Sequence, residues 1–251
     1  MKFKTFIPFG FFIWLFAGAQ LAAQIEQVLN LPGEKARILV YTHTNGYRHS
    51  SIETGVATLR EIALEAGVSL DQTEDSLQFN PRILSTYQLV VFLSTTGDVL
   101  GPQQQQAFEA YMREGGNFMG VHAATDTEYD WPWYGQLVGA YFESHPRPQK
   151  AHLKVTDREH PATAHLPDIW VHTDEWYNFR NIRPGMQVLL NLDEGSYQGG
   201  KNGAVHPIAW YHTLSGGRVF YTGLGHAKAA YADEDFRKHL AGGVRYCLGL
   251  E

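Results

Sequence analysis

Short apolar runs alternate with helix-forming segments through the first half of the chain, and this alternation most limits the possible folds. Four runs read as buried strands: residues 36–42, 68–73, 87–94 and 116–122. Apolar residues recur at helical spacing over residues 52–66, after a capping serine at 50 or 51, and Pro102 begins a helix that Gly115 ends. The succession predicts an α/β, flavodoxin-like, doubly wound fold, with a mostly parallel sheet and helices on both faces.

From about residue 151 the strand-like runs follow one another more closely: residues 152–156, 170–177, 187–192, 205–211 and 218–222. We expect these added C-terminal strands either to extend the sheet or to form an antiparallel flap over its edge. A last helix is predicted over residues 233–248, and Cys247 falls on its apolar stripe. This single cysteine excludes an internal disulfide, and its position predicts a buried small hydrophobe and argues against cysteine catalysis.

The first residues resemble an export signal. Lys2 and Lys4 precede an apolar run over residues 6–16, and small residues follow it. The run is shorter than the about 20 residues that a membrane span needs. We therefore predict a signal peptide over residues 1–24, export to the periplasm or beyond, and no stable membrane span after cleavage. A retained N-terminal anchor is the alternative.

The remaining residues 25–251 carry an acidic balance. Without Lys2 and Lys4, 18 of the 20 basic residues remain against 26 acidic ones. The chain has no basic runs, so nucleic acid is excluded as a partner. No repeat, low-complexity tract or linker interrupts residues 25–251, which predicts one domain.

Two of the twelve histidines, His122 and His226, stand at the ends of strand-like runs that contain glycines. His122 follows Gly120-Val121, and the pattern resembles a nucleophile elbow in which an imidazole has replaced the nucleophile. His226 follows the glycines at 223 and 225. Ligands bind beyond the carboxyl ends of strands in such sheets, so both are candidate catalytic residues. The alternatives are a histidine that hydrogen-bonds its turn and one that caps a helix.

Further candidates lie at the same predicted edge. Adjacent carboxylates in a strand point to opposite faces, so only one of Asp174 and Glu175 can share a pocket with His122; we choose Glu175, as base or anionic ligand. Asp126 lies one predicted turn beyond His122. The candidate substrate-binding residues are Tyr47, Arg48, His49, Asp126, Trp131, Trp133, Trp176 and Trp210. For Arg48 the alternative is a surface ion pair, and for Glu175 it is a solvated carboxylate.

A divalent metal is the candidate cofactor. The chain lacks paired cysteines and the His-Glu-x-x-His pattern, so any ligands must come from separate loops. Scattered imidazoles and carboxylates suit Zn²⁺ or Mn²⁺. We expect His122, His145 and His226 as ligands, although His145, His160 and His206 each precede a proline and some of them are turn residues.

Several stretches together resemble the trehalose-utilisation, or ThuA-like, family over about residues 36–250. They are residues 44–52, 120–127, 137–142 with His145-Pro146, 174–179, 206–210 and 216–226. The resemblance implies a class I glutamine amidotransferase-like, flavodoxin-type fold. In true amidotransferases the elbow carries cysteine, and here His122 stands there. Without that thiol no glutamyl thioester forms, so the chain is not expected to be a glutamine amidotransferase.

The family is associated with the breakdown of disaccharides such as trehalose through 3-keto sugars. The resemblance therefore implies an exported enzyme that cleaves a glycoside or its 3-keto derivative by acid–base or metal-assisted chemistry. In that mechanism His122 or Glu175 acts as base, His226 or a metal stabilises an enolate oxygen, and the tryptophans stack on the sugar. The alternatives are a non-catalytic carbohydrate-binding domain and a metal-dependent amidase or hydrolase.

Overall fold

The computed structural model describes residues 36–250, which form one compact unit; the predicted signal peptide, residues 1–24, lies outside them. Eleven strands are found in this part of the chain: β1 (Arg37–Tyr41), β2 (Ser69–Thr73), β3 (Leu89–Leu93), β4 (Asn117–Val121), β5 (Tyr141–Ser144), β6 (Gln149–Val155), β7 (Ile169–Asp174), β8 (Asn178–Arg180), β9 (Gln187–Asp193), β10 (Pro207–Leu214) and β11 (Gly217–Thr222). Five α-helices accompany them: α1 (Ile52–Glu65), α2 (Pro81–Leu84), α3 (Pro102–Arg113), α4 (Pro132–Val138) and α5 (Glu234–Leu248).

Nine strands form one mixed sheet, in the order β2-β1-β3-β4-β11-β10-β9-β6-β7. The first five are parallel to one another and reproduce the flavodoxin strand order. From β11 onward each neighbouring pair is antiparallel. The predicted α/β, flavodoxin-like fold with added C-terminal strands is confirmed, and the added strands extend the sheet.

Helices lie on both faces of the parallel half. Leu93 and Phe92 are neighbours in β3 and so point to opposite faces. Leu93 approaches Gly55 of α1, whereas the Phe92 ring contacts Phe108 of α3. Because α1 also packs against α5, these two helices cover one face and α3 covers the other.

The last helix follows its predicted stripe closely. Phe236, Leu240, Val244 and Cys247 are all buried against β4 and β11. Burial raises the pKa of the Cys247 thiol well above its ordinary range, so the thiolate does not form. The prediction of an inert, buried cysteine agrees with this environment.

Two short strands were not predicted. Strands β5 and β8 pair antiparallel and form a separate two-stranded sheet. Also unexpectedly, Ser51 stands at the N-cap of α1 without capping it, because its hydroxyl donates to the carbonyl of Gly225. Within residues 36–250 we find no helix long and apolar enough to cross a membrane.

Candidate functional site

A cavity of about 370 Å³ opens at the carboxyl edge of the sheet. It is lined by residues from strand β5 and from the loops that follow β1, β4, β5, β7 and β11: Tyr47, His49, Asp126, Phe142, His145, Pro148, Glu175, Tyr177 and His226. This is the crevice in which doubly wound sheets bind ligands.

The end of β4 places His122 behind the cavity wall, in contact with the lining residues His49, Tyr177 and His226. Thr222 of β11 pairs with Val121, so the next residues, Gly223 and His122, stand side by side. His122 adopts a φ of +52°, the left-handed conformation that bulky residues avoid. A 3₁₀ turn over His122–Thr125 follows directly. The turn is sharp, as in an elbow, and the imidazole is fully buried.

Hydrogen bonding orients the His122 ring. Its Nδ1 lies 2.9 Å from the Gly223 carbonyl oxygen and must donate to it, which leaves the lone pair on Nε2. That Nε2 lies 3.2 Å from His49 Nε2, 3.3 Å from His226 Nδ1 and 3.2 Å from the Tyr177 hydroxyl. Three imidazoles from distant parts of the chain therefore meet at one point.

Glu175 completes this group and connects it to His145. Its Oε2 lies 3.2 Å from His226 Nδ1 and 3.7 Å from His122 Nε2. Its Oε1 lies 3.0 Å from His145 Nδ1, which is also 2.9 Å from the Pro146 carbonyl oxygen. His145 thus contacts Oε1, the outer oxygen of Glu175, whereas the contacts with His122 and His226 are made by Oε2.

We define the ligand cluster as His49, His122, Glu175 and His226, whose ligating atoms all lie within 4.8 Å of one another. This group has the composition and spacing to hold a metal ion. The cluster includes His122 and His226 of the predicted ligands; His145 lies outside it, and His49 and Glu175 complete the group. His49 had been predicted to bind substrate.

Burial keeps the inner imidazoles neutral, which is the form that binds metals. It lowers the pKa of His122 well below its ordinary value, and together with repulsion from His226 it lowers the pKa of His49 to about 4. The hydrogen bond with Glu175 raises the pKa of His226. The cluster therefore holds His49 and His122 in the neutral form beside a carboxylate.

The predicted substrate-binding residues divide between the cavity and the rest of the fold. Tyr47 is 68% exposed and stands at the cavity with its ring edge against His49. Asp126 lines the cavity, and its Oδ1 accepts a 2.6 Å hydrogen bond from the Tyr129 hydroxyl. Arg48 takes the alternative role, since it forms ion pairs with Glu53 and Glu74 and does not line the cavity.

None of the four predicted tryptophans lines the cavity. Trp176 and Trp210 are fully buried, and their indole N–H groups donate to the carbonyls of Gln149 and Val138. Trp131 is also buried and stacks on Trp133. The expectation that these rings stack on a ligand is corrected, because their faces pack against the protein itself.

The aromatic residues that do line the cavity include two that sequence reasoning missed, Phe142 and Tyr177, whose ring centroids are 4.4 Å apart. Both lay within stretches that carry the family resemblance. Tyr177 follows Glu175 by two residues and Phe142 precedes His145 by three. This closeness to candidate site residues is the sequence signal that could have identified both aromatics.

Comparisons with known proteins agree with this fold. A ThuA-like protein from Bacteroides uniformis superposes with a TM-score of 0.72 at 24% identity, over 87% of this chain and 94% of that one. A ThuA-like protein from Parabacteroides merdae gives 0.71 at 22% identity, over 86% and 91%. A β-galactosidase from Bacillus circulans gives 0.58 at 13% identity, over 93% of this chain and 34% of that one. No curated protein matches this sequence.

These identities establish the fold alone, but one sequence comparison reaches further. The model of the ThuA family, described as trehalose utilisation, matches residues 37–247, almost all of the described chain. The chain therefore belongs to the ThuA family, which supports a role related to carbohydrates.

Proposed function

We propose that this protein is a metal-dependent enzyme that cleaves a glycoside or its 3-keto derivative. The observation that carries the proposal is the ligand cluster of three imidazoles and one carboxylate, of which His49, Glu175 and His226 line a cavity of about 370 Å³. Three protein nitrogens and a carboxylate are a common donor set for Zn²⁺, with Mn²⁺ as the alternative.

The spacing within the cluster supports a metal. Zn–N bonds of about 2.0–2.1 Å place the ligand atoms of a tetrahedron about 3.3–3.4 Å apart. The separations from His122 Nε2 to His49 and His226 are 3.2 and 3.3 Å, and that from His226 Nδ1 to Glu175 is 3.2 Å. A cation placed between the Nε2 atoms of His49 and His122 would accept a lone pair from each ring, in place of the direct contact that the two rings make with each other.

The cavity walls supply groups for the chemistry. A bound divalent cation supplies a Lewis acid for a carbonyl or enolate oxygen. Because Glu175 and His122 would be occupied as ligands, we propose Asp126 as the base. Burial raises the pKa of Asp126, which makes it a stronger base than an ordinary aspartate.

The proposed reaction on a 3-keto-glycoside is an elimination. Asp126 takes the proton from the carbon between the ketone and the glycosidic carbon, and the electron pair moves onto the ketone oxygen. When that pair returns to form the carbon–carbon double bond, the glycosidic C–O bond breaks, and the leaving oxygen receives a proton from the protonated Asp126. Tyr47, Phe142 and Tyr177 provide aromatic surface for the sugar in place of the predicted tryptophans.

Metal analysis and turnover test this proposal together. Purified protein should contain about one Zn²⁺ or Mn²⁺ per chain, and chelation should abolish the cleavage of a 3-keto-disaccharide. His122→Ala should lose both metal and activity, whereas Asp126→Asn should keep the metal and lose activity. A protein that binds sugar without forming product would instead be a carbohydrate-binding domain, and one that cleaves only amides or esters would be a hydrolase of another class.

We also propose export, because residues 1–24 have the charge and apolar pattern of a signal peptide. Expression of the full chain in a bacterium should yield a periplasmic protein shortened by about that segment. Full-length protein in the cytoplasm would contradict export and leave the proposed reaction unaffected.

A further inference from the structure

The carboxylate of Asp174 connects two segments that carry cluster residues. Asp174 ends β7 and is 2% exposed. Its Oδ2 accepts the backbone N–H of Gly225 at 2.8 Å, and its Oδ1 accepts those of His226 at 3.1 Å and Glu175 at 2.9 Å. Three strands separate β7 from β11 in the sheet, so these bonds join two segments that are distant in the strand order.

The backbone around Gly225 is shaped to face this carboxylate. Gly225 has a φ of +109°, and a Cβ there would lie 2.9 Å from the Tyr231 hydroxyl oxygen. Only glycine fits such a turn without strain, and the turn points two successive N–H groups at one anion. The segment that carries His226 is therefore fixed relative to the segment that carries Glu175.

The cost of burying Asp174 argues for a specific role. A buried carboxylate loses its hydration, and the nearest cationic candidate, His172 Nε2, is 3.8 Å away. The three N–H donors compensate the charge but bring no apolar packing. What they fix is the position of two cluster side chains whose ligating atoms are 3.2 Å apart.

We propose that Asp174 is a positioning residue, which sets the distance between Glu175 and His226 and thereby the metal affinity of the cluster. This inference rests on the metal centre of the proposed function. Asp174 does not reach the cluster itself, since its oxygens are directed to backbone N–H groups.

The test compares Asp174→Asn with a matched control. An asparagine keeps the size of Asp174, but its NH₂ group would face one of the N–H donors. Glu128 is the control, because its buried carboxylate accepts the N–H groups of Val99 and Leu100 and touches no cluster residue. Both Asp174→Asn and Glu128→Gln thus remove a buried carboxylate that binds backbone N–H groups.

Zn²⁺ affinity is measured by competition with a chelating dye, and unfolding in EDTA gives the stability of each metal-free variant. Asp174→Asn should weaken Zn²⁺ binding about 10- to 100-fold, as changes next to metal ligands do. Glu128→Gln should lower the melting temperature but leave affinity within about twofold of wild type. Equal affinities in the two variants would overturn the proposal.

Amide hydrogen exchange in EDTA separates this inference from the metal centre. In Asp174→Asn the amides of Gly225 and His226 should exchange at least about tenfold faster, whereas Glu128→Gln should leave them protected. If wild-type protein binds no metal, the proposed function fails, and exchange alone decides whether Asp174 holds this loop. Unchanged exchange at both amides would refute the positioning role in either case.

Discussion

Replacing His49 with alanine should weaken Zn²⁺ binding much more than replacing His145 with alanine. His49 Nε2 lies 3.2 Å from His122 Nε2 within the cluster, whereas His145 reaches only the outer oxygen of Glu175. His49 is 4% exposed and His145 has 41% of its side chain exposed. His49→Ala therefore removes a metal ligand, whereas His145→Ala removes a residue that contacts the ligand Glu175.

The magnitudes follow from this difference. Structural zinc sites with four ligands bind with about 10–16 kcal/mol, or about 2.5–4 kcal/mol per ligand, which corresponds to about 100- to 1,000-fold in affinity. Loss of a residue that contacts a metal ligand lowers metal affinity by about 10-fold or more, and we use the 10-fold value for His145→Ala. At a Zn²⁺ concentration of about 1,000 times the wild-type Kd, binding stabilises wild type by about 4.1 kcal/mol, His145→Ala by about 2.7 and His49→Ala by about 1.4 or less.

Thermal unfolding with and without Zn²⁺ measures these values. At about 2–4 °C per kcal/mol, the melting temperature should rise by about 8–16 °C for wild type, 5–11 °C for His145→Ala and at most 3–6 °C for His49→Ala. Each variant in EDTA serves as its own baseline, which removes the effect of the substitution on the metal-free fold. A larger loss for His145→Ala than for His49→Ala would refute the assignment of His49 as a ligand.

Three further predictions concern stability and reactivity. Burial lowers the pKa of His239 to about 3 and the pKa values of His160 and His212 to about 4, whereas an unfolded histidine titrates near 6.5. Below pH 6.5 the unfolded state therefore binds more protons than the folded state. Urea unfolding should show stability falling as the pH is lowered, by up to about 1.4 kcal/mol per pH unit for each of these histidines, down to about pH 4. His239→Asn should remove one of these three contributions to the pH dependence of stability. An unchanged slope of stability against pH in this variant would contradict the contribution of His239. Gly242→Ala should destabilise by about 1–3 kcal/mol, because the new Cβ would lie 2.3 Å from backbone atoms of Pro161 and Ala162, whereas Gly101→Ala meets only a flexible glutamine side chain. Cys247 should react with a thiol reagent only in denaturant, and rapid labelling of native protein would contradict its burial.

The sequence was sufficient to predict the parallel half of the sheet, because alternating strands and helices favour parallel neighbours. Residues 87–94 are apolar throughout, as a strand buried on both faces must be, and β3 occupies Leu89–Leu93 with every side chain buried. Parallel strands present their carboxyl ends at one edge, so His122 and His226 were expected to meet, and their ring centroids are 5.3 Å apart.

Side-chain direction beyond the strand ends could not be predicted in the same way. His49 and His145 both occupy loops at the correct edge, and which ring enters the cluster depends on loop conformations that no periodicity encodes. Strands β5 and β8 fix His145 beside Glu175, and neither strand was predicted. The assignment of ligands therefore required the tertiary structure.

The tryptophans show a related limit. We expected these rings to stack on a sugar, but an indole has only one polar atom, and a single backbone carbonyl satisfies it. Trp210 donates to Val138 and stacks on Tyr221 at 4.3 Å, which makes it part of the core. A local polar context could not reveal that such a carbonyl lies within reach.

The conformation of His122 connects the fold to the proposed chemistry. Its left-handed backbone costs about 1–2 kcal/mol, and full burial of an imidazole adds a desolvation cost. Neither cost serves packing, because an apolar residue would fill the same space without the desolvation cost and a glycine would avoid the backbone cost. Both are understandable if the turn exists to direct Nε2 toward His49 and His226 while the Gly223 carbonyl fixes the ring.

A glycine at position 122 should relieve the strain and remove the ligand together, so His122→Gly should be no less stable than His122→Ala in EDTA and equally unable to bind Zn²⁺. If His122→Gly proved the less stable of the two, the backbone would not be strained at this position, and the argument that strain is retained for ligation would fail.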